Sequence, residues 1–232
     1  NNMATETTKL WHIDAIKLLE DIPYEDKVQF EKLVVTRGHK KNDFIFKTGD
    51  SSEEVFFVAS GRVKIGNNAD NSKECIKRII NEGEMFGELS VVDSKHNEIR
   101  NNFAQVMEHE TVICSMTHDN FKIILQKYPK LKDRLVQNII ANFKRIDARL
   151  ESIMFKDART RLVEFIKELA DDMGMPVGHE MLIKHRLTHQ EIANITAISR
   201  QKITTLLNEL KQEGVIHLER KSLLVHDMKL LK

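Results

Sequence analysis

The sequence predicts an α+β protein with three parts in series: strands first, then one long amphipathic helix, then a helix-turn-helix head backed by a β-hairpin. Three observations carry the prediction. Short β-branched and aromatic runs, separated by Gly, Asn and Asp, fill the region from Phe44 to Met116 at the spacing of sandwiches and barrels. Glycine then disappears: six of the nine (Gly38, Gly49, Gly61, Gly66, Gly83 and Gly87) lie in the first part, and none falls between Gly87 and Gly174. Past Thr188, two helical patterns follow one another across a tight turn, each opened by a hydroxyl-bearing residue. The expected boundaries are 1–128 for the strand domain with its flanking helices, 129–156 for the long helix and hinge, and 157–232 for the head.

Taken in order, helical flanks are expected at Ile13–Glu20 and Asp26–Val35. Strands are expected at Phe44–Phe46, Val55–Ala59, Val63–Ile65, Ile76–Ile80, Phe103–Val106 and Thr111–Met116. Pro129 suits the first turn of a helix, where a missing N–H costs nothing. From there Val136, Ile139, Phe143, Ile146, Leu150 and Ile153 recur at alternating spacings of three and four. That is an a/d seam of nearly three heptads, which buries against another helix. The plainer reading is a helix packed on its own domain; the charged flanks Lys144, Asp147, Arg149 and Glu151 favour self-association. A second helix is expected from an Asp157 cap through Leu162, Phe165, Ile166 and Leu169 to Gly174. Met175–Gly178 then reads as a connector, and Leu150–Asp157 as the hinge between domains.

Thr188 with Glu191 three residues later is a capping box, and Ile192 and Ala193 form the inner face of the helix it opens. After Thr196-Ala197, Ser199 caps a second helix that ends at Gly214, with Ile203, Leu206, Leu207 and Leu210 facing inward. Arg200, Gln201, Lys202, Thr204 and Thr205 then face outward near its start, where side chains of such a helix reach base edges in a major groove. Val215–Leu218 and Leu223–Val225 bracket Glu219-Arg220-Lys221-Ser222, a hairpin wing with a basic tip. The plainer alternative is a small helical subdomain with a solvated polar face.

Composition excludes several classes. The 232 residues carry 36 Lys+Arg against 35 Asp+Glu, so no global basic coat draws the protein to every polyanion. The charge is uneven, however. Asp43–Ile99 holds 7 Lys+Arg against 11 Asp+Glu, whereas Ile183–Lys221 holds 7 against 4. No apolar run approaches the ~20 residues of a membrane span, and Lys9, Asp14, Lys17 and Glu20 break up any signal-peptide core. Cys75 and Cys114 are too few for a disulfide framework, a zinc finger or a cysteine-held cluster. A soluble, cytoplasmic protein is expected, without a metal site, since His179, His185 and His189 do not fall at ligand spacing and no His-x-His occurs.

The remaining signal is the loop Gly83-Glu84-Met85-Phe86-Gly87-Glu88-Leu89. Gly87 permits close backbone approach to a ligand, Glu88 can accept from sugar hydroxyls, and Arg100 offers a planar fork for a phosphate. The plainer reading is a glycine turn with a Glu88–Arg100 surface pair.

Asp43–Asp50, Phe56-Phe57-Val58 and Ser60-Gly61-Arg62-Val63 resemble the start of a cyclic-nucleotide-binding β-roll. Phe86-Gly87-Glu88-Leu89-Ser90 with Arg100 resembles its phosphate-binding cassette. Thr188–Leu210, with Gln190-Glu191-Ile192-Ala193 and Ile198-Ser199-Arg200, resembles the helix-turn-helix of the cyclic-AMP receptor protein/FNR (Crp/Fnr) transcription factors. The resemblance covers essentially the whole chain, in the family's order. It implies a jelly-roll effector domain, a dimerisation helix and a winged helix-turn-helix, in a bacterial homodimer rather than an enzyme.

Carried over by resemblance, Gly87, Glu88, Leu89, Arg100 and its neighbour Asn101 fall on the effector cassette. Arg200, Gln201 and Thr205 fall on base-reading positions, and His189, Gln190 and Lys221 on phosphate or supporting contacts, with Ser199 and Lys202 beside them. Three departures stand out. Asn101 occupies a position where cyclic-AMP binders carry Ser or Thr, the stretch from Gly87 to Arg100 is long, and Ile146-Asp147 replaces the Thr-Ser that meets the adenine. Cyclic AMP is therefore expected to bind weakly or not at all. The missing cysteines disfavour an oxygen-sensing cluster, and haem stays open as an effector. The expected partners are a second copy, a pseudo-palindromic duplex operator and, for an activator, RNA polymerase. The alternatives are a regulator with a vestigial, ligand-free β-roll, a cupin-like metalloenzyme with an appended helical domain, and a signalling adaptor with a degenerate head.

Overall fold

In the computed structural model, residues 10–68, 74–88 and 99–231 are described. The chain divides into two compact units, Asn1–Phe143 and Lys144–Lys232.

The first unit begins with α1 (Leu10–Asp14), a 3-10 turn (Lys17–Leu19) and α2 (Tyr24–Glu31). The expected flank Ile13–Glu20 is thus broken. Ile16 is extended, and the Lys17 N–H donates to the Gly83 carbonyl at 3.0 Å instead of to the preceding turn. The second flank starts earlier, after Pro23, and stops at Glu31, because Val35 opens a strand.

Eight strands follow: β1 (Val35–His39), β2 (Phe44–Phe46), β3 (Glu54–Ser60), β4 (Val63–Asn68), β5 (Glu74–Ile80), β6 (Met85–Phe86), β7 (Phe103–Val106) and β8 (Thr111–Thr117). They form two antiparallel sheets, ordered β1-β8-β3-β6 and β2-β7-β4-β5. The all-apolar centre of β3 explains the layering. Phe56 and Val58 join Phe46, Val63, Ile80, Val106 and Ile113 in a core between the sheets. Val55, Phe57 and Ala59, on the other face, pack with Ile13, Ile16, Phe30 and Phe121 under the helices. Burial on both faces requires this unbroken apolar run in place of alternation.

α3 (His118–Lys127) and the first half of α4 (Pro129–Phe155) complete the unit. α4 has 27 residues, about 40 Å of helix. Its first turns belong to the β-roll unit, since Leu131 and Leu135 are buried in the helix-side core. The division into units falls after Phe143, inside the helix, and not at the expected ends of the 129–156 segment. The helix runs unbroken to Phe155, leaving only Lys156-Asp157 of the expected hinge outside regular structure.

In the second unit, α5 (Ala158–Met173) is capped by Asp157, which accepts from the Thr160 N–H at 2.7 Å. The expected connector is instead a strand. β9 (Gly174–Val177) pairs antiparallel with β10 (Glu180–Ile183) across a two-residue turn at Gly178-His179, where Gly178 takes φ +63°. Pro176 is tolerated because β9 is the edge of its sheet. α6 (His189–Thr196), α7 (Arg200–Gln212), β11 (Ile216–Glu219), β12 (Ser222–Val225) and a 3-10 turn (Met228–Leu230) follow, in a sheet ordered β11-β12-β10-β9.

Candidate nucleic-acid interface and effector pocket

The head is built as its caps dictate. Thr188 accepts from the Glu191 N–H at 3.2 Å while its own N–H donates to Glu191 Oε2 at 2.7 Å, closing the capping box that starts α6. Ala197 takes a left-handed φ of +55°, which turns the chain, and Ser199 accepts from the Lys202 N–H to start α7. Ile203, Leu206, Leu207 and Leu210 are buried. Arg200, Gln201, Lys202 and Thr205 are exposed on the opposite face. Thr204 is half-buried: its hydroxyl lies 2.9 Å from His189 Nδ1 and donates to the Arg200 carbonyl. The Thr205 hydroxyl donates likewise to the Gln201 carbonyl, and Gln190 to Asn194.

Behind α7, β11 and β12 pair from Ile216↔Val225 to Glu219↔Ser222, leaving Arg220-Lys221 as the exposed wing tip. The Lys221 carbonyl accepts from the Arg186 N–H at 2.7 Å. This bond brings exposed Arg186 to the wing, on a loop where exposed Lys184 and Arg186 alternate with buried Ile183, His185 and Leu187. The reading of the sequence missed both cations, although the alternation was there to find.

The expected Glu88–Arg100 surface pair is not made. Leu89 lies outside the described residues. Glu88 is buried and accepts from Arg78 Nη1 at 3.2 Å; it makes no surface pair with Arg100. Arg100 is 6% exposed, its guanidinium 4.4 Å from the Phe46 ring centre and 5.4 Å from that of Phe56. It donates to the carbonyl oxygens of Glu54 at 2.5 Å and Gly87 at 3.4 Å, and only its buried Nε lacks a partner. Its backbone is fixed too, bonded to Gly49 and Asp50. Burial lowers its pKa, against the raising influence of Glu54, Glu88 and Asp50. Gly87 has φ +80°, and a Cβ there would lie 2.8 Å from Arg100 Nη1. Asn101 is exposed.

Along α4, Val136, Phe143, Ile146, Leu150 and Ile153 are 42–68% exposed, and Ile140 adds to the stripe. Ile139, expected in the seam, is partly buried against the core of its own unit. Among the described residues no group of three or more His, Cys, Asp or Glu is arranged to hold a metal, and no helix is long and apolar enough to cross a membrane.

A β-roll followed by a long helix and a winged helix-turn-helix defines a DNA-binding transcription regulator that carries its own sensor domain. Family models match on both sides of the long helix: a cyclic nucleotide-binding domain over residues 36–128 and a Crp-like helix-turn-helix domain over residues 160–232. The chain belongs to the Crp/Fnr superfamily of transcription regulators, which are not enzymes. It is similar to a CRP-like cAMP-activated global transcriptional regulator of Mycobacterium tuberculosis, 28% identical over 86% of this chain and 85% of that one. A global nitrogen regulator of a Nostoc species is 26% identical over 83% and 85%. The solved structure of a CooA mutant from Carboxydothermus hydrogenoformans is 26% identical, covers 99% of this chain and 96% of its own, and superposes with a TM-score of 0.78.

Proposed function

We propose that the protein is a homodimeric, cytoplasmic regulator that binds a pseudo-palindromic operator, with Arg200, Gln201 and Thr205 reading bases. Ser199, Lys202, His189, Gln190, Lys221 and, added from the structure, Lys184 and Arg186 hold the backbone. The observation that carries this is the row of exposed side chains at the capped start of α7, beside a basic wing tip tied to the Arg186 loop. The apolar stripe on α4 supplies the dimer contact, and two-fold symmetry then sets two recognition helices roughly 34 Å apart, one turn of duplex. RNA polymerase is the further partner if the protein activates.

The small effector is assigned to the Gly87, Glu88 and Arg100 region of the β-roll, where it biases the position of the recognition helices. Cyclic AMP is disfavoured as that effector, because Asn101 and Ile146-Asp147 depart from the residues that cyclic-AMP binders carry. The Arg78–Glu88 and Arg100–Glu54 contacts also support a second reading, a β-roll that binds nothing, since both polar groups are already taken by the chain itself.

Competition binding on a randomised duplex pool at two salt concentrations tests the DNA assignment. Arg200→Ala should relax preference at one symmetric guanine per half-site, worth about 1–3 kcal/mol of discrimination. Lys221→Ala should weaken all sequences alike and flatten the salt slope by about 1 per lost contact. The opposite pattern would mean that helix and wing are assigned the wrong way round.

A further inference from the structure

We propose that Arg159 and Arg161 are positioning residues: they fix the lean of the recognition helix α7, and so the half-site spacing that the dimer accepts; the inference rests on the DNA-binding reading above. Both lie in the opening turn of α5, directly after Lys156-Asp157, and each reaches a different end of α7. At the C-terminal end, Arg159 Nη1 and Nη2 donate to Glu213 Oε1 and Oε2 at 3.0 and 2.5 Å, a two-pronged bond to the residue that caps α7. Glu209, one turn earlier, brings a carboxylate oxygen to 3.8 Å from Arg159 Nη1. At the N-terminal end, Arg161 Nη2 donates at 3.2 Å to the carbonyl of Ala197, the left-handed residue that turns the chain two positions before the Ser199 cap. Arg161 Nη1 donates at 3.0 Å to the Lys156 carbonyl, just past the end of α4.

The charges are placed for these bonds and not for the helices that carry them. Arg159 puts a cation in the first turn of α5, and Glu213 puts an anion at the C-terminus of α7. Each stands at the end that the helix dipole disfavours, so neither helix gains from its own charge, and the gain lies in the pair. The hydrogen bond from Arg159 holds the Glu213 carboxyl below the usual carboxylate range. The end of α4 is tied to α5 as well: Ser152 Oγ and Lys156 Nζ donate to Glu164 Oε2 and Oε1 at 2.9 and 2.6 Å. A continuous run of directed bonds thus leads from the last turn of α4, through α5, to both ends of α7, all within the second unit.

What the arginines add is direction. Ile203, Leu206, Leu207 and Leu210 bury α7 in the head, but apolar burial is non-directional and tolerates a small rocking of the helix. A forked guanidinium–carboxylate bond fixes distance and angle together. Arg159 and Glu213 have side chains 34% and 46% exposed, so their pairing contributes little to stability. Its loss should therefore show in geometry and not in melting temperature.

Half-site spacing reads that geometry. The full-length protein is used to select a site from a randomised duplex pool. The spacer between half-sites is then changed by one base pair, with a single half-site duplex measured alongside. One base pair shifts a half-site by about 3.4 Å and turns it by about 35°, so the wild type should lose about tenfold or more in affinity. Arg159→Gln, Glu213→Gln and Arg161→Lys, whose lysine cannot fork to two carbonyls, should each cut that penalty to about threefold or less. Single half-site affinity should stay within about twofold of wild type, and the melting temperature within about 2 °C. Arg159→Glu combined with Glu213→Arg restores the pair, with each charge at the helix end that favours it, and should bring back the full penalty. A penalty unchanged in Arg159→Gln and Glu213→Gln overturns the inference. So does an affinity loss shared equally by every duplex and the single half-site, or a charge-reversed pair that restores nothing. A wild type that binds no duplex, or binds without a spacing preference, removes the dimeric DNA-binding reading itself.

Discussion

Arg100 is held by two phenylalanine rings and two backbone carbonyls, which makes it part of the β-roll's own packing before any effector arrives. Removing it would leave the Glu54 and Gly87 carbonyls short of a donor and open the space over Phe46. Arg100→Met should therefore destabilise the ligand-free protein by about 2–4 kcal/mol, read as a shift in the urea midpoint. An arginine kept free for a ligand would leave the midpoint unchanged. For an effector to use this guanidinium it must offer more than the two carbonyls it displaces. The buried, unpartnered Nε is the donor available without that exchange. Glycine at 87 follows from the same geometry, because φ +80° and the nearby Arg100 Nη1 both exclude a Cβ.

At the scale of elements, caps decide where each helix of the head begins. Asp157 caps α5, and its pKa is lowered chiefly by the backbone N–H of Thr160, with the Thr160 hydroxyl adding to it. A carboxyl whose folded pKa is depressed contributes stability above its unfolded value, near 3.9, and loses it as pH falls through the folded one. Acid should thus fray the first turn of α5 below about pH 4, and Asp157→Asn should remove that part of the pH dependence while keeping a cap. Thermal melts of the two proteins from about pH 3 to 7 make the comparison. If both lose stability in parallel across that range, the cap is not the titrating element.

On the scale of the whole molecule, the exposed apolar stripe on α4 runs from Val136 to Ile153. In the proposed dimer, a stripe of this length at heptad spacing packs against a second copy of the same helix. Phe143, 68% exposed, is the place to test it. Phe143→Glu should give monomers by light scattering and abolish operator binding, whereas a wild-type monomer at micromolar concentration would refute the dimer. For the effector, isothermal calorimetry should find cyclic AMP binding weak or absent. Its phosphate would have to displace the Glu54 and Gly87 carbonyls from Arg100. A Kd below about 1 μM would restore the simple cyclic-AMP reading.

The sequence by itself determined what depends on neighbours along the chain. These are the Asp157, Thr188 and Ser199 caps and the inner and outer faces of α7, because hydrogen bonds three residues apart and helical periodicity set them. Tertiary structure decided what depends on partners far away. β1 is an edge strand of mixed polarity that exists because β8 pairs with it, and β6 is too short to carry a pattern. Met175–Val177, read as a connector, becomes strand only against β10. Periodicity shows that one face of α4 is apolar, but not that Leu131 and Leu135 go to the β-roll's own core while Ile139 turns partly inward. Glu88 meeting Arg78, Arg100 meeting Glu54, and Arg186 meeting Lys221 are likewise choices of register and packing. A residue's type fixes the bonds it can make; only the fold brings up the group that takes them.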